Sequence, residues 1–185
     1  MNTLTIDIIE RCINNDRRAQ LKLYNQYCDG MYIVAKRFVR DSFEAEDVVQ
    51  EAFIKAFAKL HQYKAEVTFG AWLKRIVINK SIDLLKSKKQ HMLELDEVHL
   101  KVIDSSYQDE WLVDDTITLD EVKEAIYKLP NKYKYVVMLF LIEGYDHQEI
   151  SEILNISEVA SRSQLFRGKT KLRELLKLIQ NGTGH

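Results

Sequence analysis

Five basic side chains lie close together near the end of the chain, on a stretch that the residue pattern predicts to be the second of two adjacent helices. They are Arg162, Arg167, Lys169, Lys171 and Arg173. A guanidinium group can donate two parallel hydrogen bonds to a guanine edge, and an ammonium group can neutralise a phosphate. An apolar helix followed by a basic one is typical of a helix-turn-helix that offers its second helix to a DNA groove. Sequence-specific DNA binding is therefore the leading interpretation of this stretch.

The turn between the two helices is centred on Asn155. Asparagine tolerates the left-handed conformation that a tight interhelical turn needs, and Ser157 can cap the second helix. We expect Val159 and Ala160 to pack inward. The side chains predicted to meet DNA are Arg162, Ser163, Phe166 and Arg167 at the bases, with Lys169 and Lys171 at phosphates. An ordinary amphipathic helical hairpin stays open as the alternative, because helix-turn-helix patterns produce false positives.

A second basic stretch, from Lys55 to His91, has nine Lys and Arg residues against two Asp and Glu residues. Within it, the block from Lys64 to Lys89 combines cationic residues with Phe69 and Trp72. Cationic side chains beside aromatic faces suit unstacked single-stranded bases. Taken alone, the aromatic residues are more often part of a core, and Trp72 can be a core residue even if its helix binds DNA.

The formal net charge of −1 conceals a strong segregation of charge along the chain. Between Met92 and Glu124 there are two basic and eleven acidic residues, whereas between Glu158 and Lys177 there are six basic and two acidic residues. Two basic blocks thus flank an acidic block. This order suggests two surfaces that face nucleic acid, joined by a segment that phosphates repel or that masks the basic faces. Ordinary solvated helix faces would explain either basic block alone.

The composition predicts an all-α fold. With 46% hydrophobic residues the chain of 185 residues can bury real cores, while six Gly and one Pro are too few for the many tight turns of sandwiches and barrels. We expect two small helical domains, 1–89 and 117–185, joined by a flexible acidic linker at 90–116. The second domain ends in the helix-turn-helix.

Apolar spacing and capping residues predict the individual helices. In the first domain they run from Ile6 to Asn14, from about Ala19 to Val39 with an interruption or bend at Asp29–Gly30, from Ser42 to Leu60, and from Phe69 to Lys86. In the second domain, capping boxes at Thr118 and Asp146 begin two helices, and another runs from Asn131 to Glu143 and buries Phe140 and Ile142. The helix after Asp41 carries a polar stripe opposite its apolar face.

Several functions are disfavoured. Cys12 and Cys28 form no CxxC pair and have no His at ligand spacing, so we expect no metal or other cofactor. The five His residues lack carboxylate or Cys partners at useful helical spacing, and there is no Gly-rich phosphate loop, so we do not expect an enzyme. No signal pattern is present, and no apolar run approaches the roughly 20 residues that span a bilayer. We therefore expect a cytoplasmic protein without membrane insertion.

Three stretches together resemble one family, the extracytoplasmic-function (ECF) class of bacterial RNA polymerase sigma factors. Glu44 to Phe57 resembles region 2.2, and Phe69 to Asp83 resembles regions 2.3 to 2.4. Leu129-Pro130, followed by the stretch from Ile142 to Ser157 and the basic helix, resembles region 4. Because the order, the spacing and the linker length all agree, the resemblance is far more specific than any one motif.

The resemblance implies a non-catalytic subunit that directs core polymerase to promoters. The residues that would dock on the coiled coil of the β′ clamp are Asp47, Val48, Gln50, Glu51 and Phe53. The residues that would meet the −10 element are Lys64 to Phe69, with Lys74, Arg75, Asn79 and Lys80; the loop would hold a flipped base, and the helix would contact the opened strand. Arg162, Ser163, Phe166 and Arg167 would read the −35 element. The resemblance also implies contact with the β flap and an anti-sigma factor, which is often membrane-bound.

Two positions depart from the family pattern. Asn155 stands where many relatives have Gly, and Ala160-Ser161 precede Arg162 where a Thr-Val pair is common. These differences leave the base preference open. A stand-alone helix-turn-helix transcriptional regulator is the alternative function, although it would have no need for the polar stripe between Asp47 and Phe53.

Overall fold

The computed structural model describes residues 3–92 and 117–182. These residues form eight α-helices in two compact units. The first unit contains α1 (Thr3–Ile13), α2 (Arg17–Val39), α3 (Ser42–Lys59) and α4 (Phe69–Met92). The second contains α5 (Leu119–Lys128), α6 (Asn131–Val137), α7 (His147–Leu154) and α8 (Glu158–Gly182). Since no strand occurs in the described ranges, the predicted all-α class is confirmed. The predicted linker lies outside them, except for its first three positions, which continue α4.

A tight reversal joins α1 to α2. Asn15 has a φ of 61°, which asparagine tolerates better than most residues. The Asp16 carboxylate accepts two backbone N–H groups from the first turn of α2, and Arg11 Nη2 donates to its Oδ2 atom over 2.7 Å. Asp16 is therefore the N-cap, and α2 begins at Arg17 rather than at the predicted Ala19.

The predicted interruption of α2 at Asp29–Gly30 is wrong, because α2 runs continuously through both residues. Its buried face includes Leu23 before this point and Met31 and Val34 after it. A single glycine costs a helix only about 1 kcal/mol relative to alanine. Packing of a long apolar face outweighs that cost.

The core of the first unit lies between α2, α3 and α4, and α1 packs on α2. Its fully buried side chains include Leu23, Ala35, Ala45, Ala52, Ala56, Leu73, Val77 and Ile78. Three alanines on α3 let this helix approach its neighbours closely. The apolar face predicted for α3 is confirmed from Ala45 to Leu60, with Phe57 only partly buried.

In the second unit, α8 packs against α5, α6 and α7. The predicted capping box at the start of α5 is confirmed: Thr118 Oγ1 accepts the Glu121 N–H over 3.3 Å, and the Glu121 carboxylate accepts the Thr118 N–H over 2.8 Å. Pro130 directly precedes α6 with a φ of −52°. This proline separates α5 from α6 because it disfavours helical geometry at the residue before it.

The helix that starts with α6 does not stay regular to its predicted end. After α6 it forms one π-helical turn, Met138–Ile142, in which the Glu143 N–H donates to the Met138 carbonyl. The wider turn changes the direction of the side chains that follow it. Consequently Ile142, predicted to be buried, is 38% exposed, and Phe140 is only partly buried.

Gly168 provides a test of the packing between α6 and α8. A Cβ atom at this position would lie 2.6 Å from Val137 Cγ2, whereas a Cβ atom at Gly30 would meet nothing within 4 Å outside its own helix. We expect Gly168→Ala to lower the free energy of unfolding by about 1–3 kcal/mol through overpacking, less any gain in helix propensity. We expect Gly30→Ala to raise it by up to about 1 kcal/mol. Urea titration of the full chain, followed by circular dichroism, measures both; changes of equal sign would contradict this packing.

Candidate nucleic-acid interface and docking surface

Capping interactions stabilise the helix-turn-helix at the start of α7, at the end of α7 and at the start of α8. The Asp146 carboxylate accepts the Glu149 N–H over 2.8 Å, and Glu149 accepts the Asp146 N–H over 3.0 Å, which completes the predicted capping box of α7. Asn155 ends α7 in the left-handed conformation, with φ 55° and ψ 53°. Ser157 Oγ then accepts the Ala160 N–H over 3.1 Å and caps α8. The predicted turn and cap are therefore confirmed.

The buried face of α8 differs from the prediction in its first turn. The buried residues, spaced by three and four, are Ser161, Leu165, Gly168, Leu172 and Leu176. Val159 is 76% exposed, so the prediction that it packs inward is wrong, and Ala160 is only half-buried. The prediction followed residue type rather than helical position. The inward position belongs to Ser161, a polar residue whose hydroxyl has a partner inside the unit.

That partner is His147, at the start of α7. Ser161 is completely buried, and its Oγ atom lies 2.9 Å from His147 Nδ1. The imidazole also packs against Phe140, with ring centroids 5.0 Å apart. This contact satisfies the buried hydroxyl and joins the first turn of α8 to α7. Partial burial, and then the nearby charge of Arg162, lower the pKa of His147. The sequence analysis assigns no role to His147 and misses this contact.

The outward face of α8 carries the four residues predicted to read bases. Arg162 and Ser163 are exposed, Phe166 is 50% exposed and Arg167 is half-buried. Because Val159 lies three and four residues before Arg162 and Ser163, it shares this face. Arg162 donates to the Glu158 carboxylate over 3.2 Å, one helical turn away. The exposed surface therefore combines cationic, hydroxyl and apolar groups.

The two lysines predicted to meet phosphates, Lys169 and Lys171, lie one turn further along α8 and are half-buried. The Lys169 ammonium lies 5.3 Å from the centroid of the Phe140 ring. Such a cation–π contact holds the long side chain against its own unit while its charge stays near the surface.

The side chains that the resemblance assigns to polymerase docking fall into two groups. Asp47, Gln50 and Glu51 are exposed on α3. Val48 and Phe53 are buried, with only 4% and 2% of their surface exposed, so their side chains are not accessible to a docking partner. These two residues instead fix the rotation of α3 within the unit.

Two other residues of α3 supply exposed apolar surface. Phe43 is 78% exposed and Ile54 is 70% exposed. They are eleven residues apart, about three helical turns, so they lie on the same face, with Asp47 and Gln50 between them. We call Phe43, Asp47, Gln50 and Ile54 the α3 stripe. The sequence interpretation misses its apolar ends because Val48 and Phe53 match the family pattern by position.

Residues 60–68 connect α3 to α4. We call this connection the tied loop, because two side-chain hydrogen bonds hold it in place. The Tyr63 hydroxyl donates to the Val67 carbonyl over 2.6 Å, and Thr68 Oγ1 accepts an N–H from the first turn of α4 over 3.2 Å. Between these ties, Ala65 has a φ of 60°, which strains a residue with a Cβ by about 1–2 kcal/mol. The exposed Lys64 precedes it. Strained backbone of this kind occurs often at binding sites.

Phe69 is a core residue rather than an exposed stacking platform. Its side chain is 1% exposed, and its ring lies 5.2 Å from that of Tyr27, 5.9 Å from that of Tyr63 and 5.8 Å from that of Trp72, between centroids. Tyr63 and Trp72 are half-buried. The alternative that the aromatic residues belong to the core therefore holds for Phe69. Its ring packs against that of Tyr63, a residue of the loop.

Basic residues of α4 are linked to acidic residues of α3. Lys80 Nζ lies 2.7 Å from Glu51 Oε2, and Lys88 forms an ion pair with Glu44. The other polar residues that the sequence predicts to meet DNA from α4 are Lys74, Arg75 and Asn79, all half-buried. Neither ion pair can be predicted from the local sequence, because the partners are 29 and 44 residues apart along the chain.

Within the described parts of the chain, no group of three or more His, Cys, Asp or Glu residues could hold a metal ion. Cys12 is buried and Cys28 partly buried, neither forms a disulfide, and burial raises the pKa of both thiols. None of the described helices is long and apolar enough to cross a membrane.

The second unit, with its capped turn and basic second helix, places the chain among the helix-turn-helix DNA-binding proteins. The sigma-70 region 2 family matches residues 23–91, and the sigma-70 region 4 family matches residues 119–172. The ECF RNA polymerase sigma factor SigW of Bacillus subtilis (strain 168) is 31% identical over 177 residues, covering 91% of this chain and 95% of that protein.

Two further comparisons agree. The ECF RNA polymerase sigma factor SigE of Mycolicibacterium smegmatis is 30% identical over 156 residues, covering 84% of this chain and 60% of that protein. The solved structure of the sigma factor RpoE, bound to the anti-sigma factor NepR from Bartonella quintana, has the same fold, with a TM-score of 0.58 at 20% identity over 84% of this chain and 95% of that one. The chain belongs to the ECF class of the sigma-70 family of RNA polymerase sigma factors.

The depressed pKa of His147 predicts a pH dependence of stability. Because the folded-state pKa lies below the unfolded value, the unfolded chain binds more protons at this site as the pH falls below the ordinary histidine range, and stability is lost. We expect the melting temperature to fall more for the wild-type chain than for His147→Gln between about pH 7.5 and 5.5. His61→Gln, at an exposed histidine, serves as the control and should follow the wild type. Parallel curves for wild type and His147→Gln would contradict the assignment.

Proposed function

We propose that this sigma factor divides its contacts among three surfaces. The α3 stripe, with Glu51 beside it, docks on core polymerase. The tied loop and α4 meet the −10 element, and the outward face of α8 reads the −35 element. The family matches of both units support promoter-directed initiation as the activity and do not favour a stand-alone regulator. The observation that carries the division is the α3 stripe, because a regulator without polymerase contact has no use for two exposed apolar anchors.

Docking on core polymerase relies on the exposed residues of α3. Phe43 and Ile54 supply apolar anchors, and Asp47, Gln50 and Glu51 supply hydrogen bonds and charge for the coiled coil of the β′ clamp. Anchors of this kind carry most of the free energy of protein association, while surrounding polar groups set specificity. Val48 and Phe53 contribute by holding α3 in place, since their side chains are buried.

We expect Asp47→Ala with Gln50→Ala, and separately Phe43→Ala with Ile54→Ala, to weaken binding to core polymerase by about fivefold or more, as hot-spot truncations cost over 1 kcal/mol. Fluorescence anisotropy of labelled full-length chain, titrated with purified core enzyme, measures the affinity. Leu21→Ala is the matched control, because Leu21 is also an exposed apolar residue, at 60%, but lies on α2. Equal losses for the control and the stripe variants would refute this docking surface.

At the −10 element, the loop and α4 hold one opened strand. Lys64 meets the backbone, and the half-buried rings of Tyr63 and Trp72 are accessible to an extruded base. The buried Phe69 ring packs against both of these rings. Extruding a base costs a few kcal/mol, so stacking of that base on these rings offsets part of the cost of opening the duplex. Lys74, Arg75, Asn79 and Lys80 extend the contact along α4.

At the −35 element, α8 enters the major groove with its outward face. Arg162 and Arg167 can pair with guanine edges, and Ser163 accepts or donates to either kind of base pair. The exposed side chains of Val159 and Phe166 suit the methyl group of thymine. Lys169 and Lys171 meet phosphates and set the register without reading sequence.

We expect Arg167→Ala to reduce promoter-specific run-off transcription by about fivefold to hundredfold, since a bidentate contact with a base contributes about 1–3 kcal/mol of discrimination. Binding to core polymerase should survive, because α8 is not the docking surface. Lys177→Ala, an exposed basic residue near the end of α8, controls for loss of charge. Parallel loss of transcription and core binding in Arg167→Ala would contradict the separation of these surfaces.

Further partners follow from the same activity. We propose contact of the second unit with the β flap, a cytoplasmic location beside the polymerase, and regulation by an anti-sigma factor, which is membrane-bound in many relatives. The RpoE structure supports the last point only by analogy, as a sigma factor of the same fold in complex with an anti-sigma factor. Run-off transcription with purified core enzyme on genomic fragments tests the whole proposal; a chain that selects no start site from any fragment would overturn it.

A further inference from the structure

Glu51 and Lys80 have different proposed partners, core polymerase and DNA, yet they form an ion pair with each other in the free chain. Lys80 Nζ lies 2.7 Å from Glu51 Oε2. Glu51 stands beside the α3 stripe, whereas Lys80 belongs to the α4 surface assigned to opened DNA. Their side chains are 61% and 31% exposed, respectively, so both remain accessible to a partner. One carboxylate and one ammonium group therefore each have two competing partners.

Breaking this ion pair need not disturb the helices that carry it. The neighbouring ion pair between Glu44 and Lys88 also joins α3 to α4, two helical turns from the first on each helix. The packing of the buried faces of α3 and α4 keeps the helices in register when either ion pair is broken. A lysine side chain has a flexible four-carbon stem, so its ammonium group can leave a carboxylate without movement of the helix.

We propose that the Glu51–Lys80 ion pair couples core-polymerase binding to contact with the opened DNA strand, and this inference rests on the proposed function. In the free chain, Glu51 neutralises Lys80 and weakens its attraction to phosphate. When core polymerase engages Glu51, Lys80 is released to the DNA backbone. Coupling of this kind is reciprocal, so DNA bound at Lys80 also favours docking through Glu51. An exposed pair limits the coupling to about 1.5-fold to fivefold.

The test uses the full chain and a short fluorescein-labelled oligothymidylate, whose phosphates Lys80 would contact whatever the base sequence. Affinities are measured by anisotropy at low salt for the wild type, Glu51→Gln, Lys80→Gln and the double variant. Glu46→Gln is the matched control, since Glu46 is an exposed carboxylate of α3 five residues before Glu51. The same comparison is repeated with saturating core polymerase.

We expect Lys80→Gln to weaken binding and Glu51→Gln to strengthen it by about 1.5-fold to fivefold in the free chain. The gain should exceed that of Glu46→Gln, and it should vanish in the Lys80→Gln background and in the holoenzyme. A gain that persists without Lys80 reflects long-range charge and overturns the proposal. If Lys80→Gln weakens binding but Glu51→Gln changes nothing, only the coupling is refuted. If Lys80→Gln has no effect, the −10 role of Lys80 in the proposed function fails as well.

Discussion

Burial of one face of a helix decides which of its other side chains can reach a partner, and the proposed contact surfaces of α3 and α8 both depend on this constraint. On α3, small residues such as Ala45 and Ala52 are completely buried, so the helix lies close against α2 and α4 and cannot rotate. On α8, Leu172 and Gly168 impose the same restriction. Rotating either helix by one residue, about 100°, would place a charged side chain in the core, at a cost of several kcal/mol.

The sequence predicted most of what depends on local chemistry. Capping boxes, the left-handed Asn155 and the apolar period of α3 each follow from side chains within a few residues, and each is confirmed. The assignment of individual side chains failed where position and residue type disagree. Val159 is apolar but lies outside the buried period of α8, and the polar Ser161 lies within it because His147, fourteen residues away, supplies its hydrogen bond.

Other departures arise from interactions that no local pattern encodes. The π-helical turn after α6 changes the direction of Ile142, and nothing in its own residues signals the extra position. Positional transfer from the family selected Val48 and Phe53 for docking, although the same apolar period that predicted α3 already places them in the core. When a family pattern and a helical period disagree about a side chain, the period is the better guide to exposure, because it follows from packing.

The two ion pairs between α3 and α4 illustrate why weak electrostatic interactions matter at a surface for which two partners are proposed. An exposed ion pair adds about 0–1 kcal/mol to stability, so Glu51 and Lys80 contribute little to holding the unit together. The aromatic core around Phe69 and the alanine-lined contacts do that instead. A buried pair would resist separation, since removing one partner leaves an uncompensated charge. An exposed pair can be broken at low cost, and this makes its two charges available to a larger partner surface.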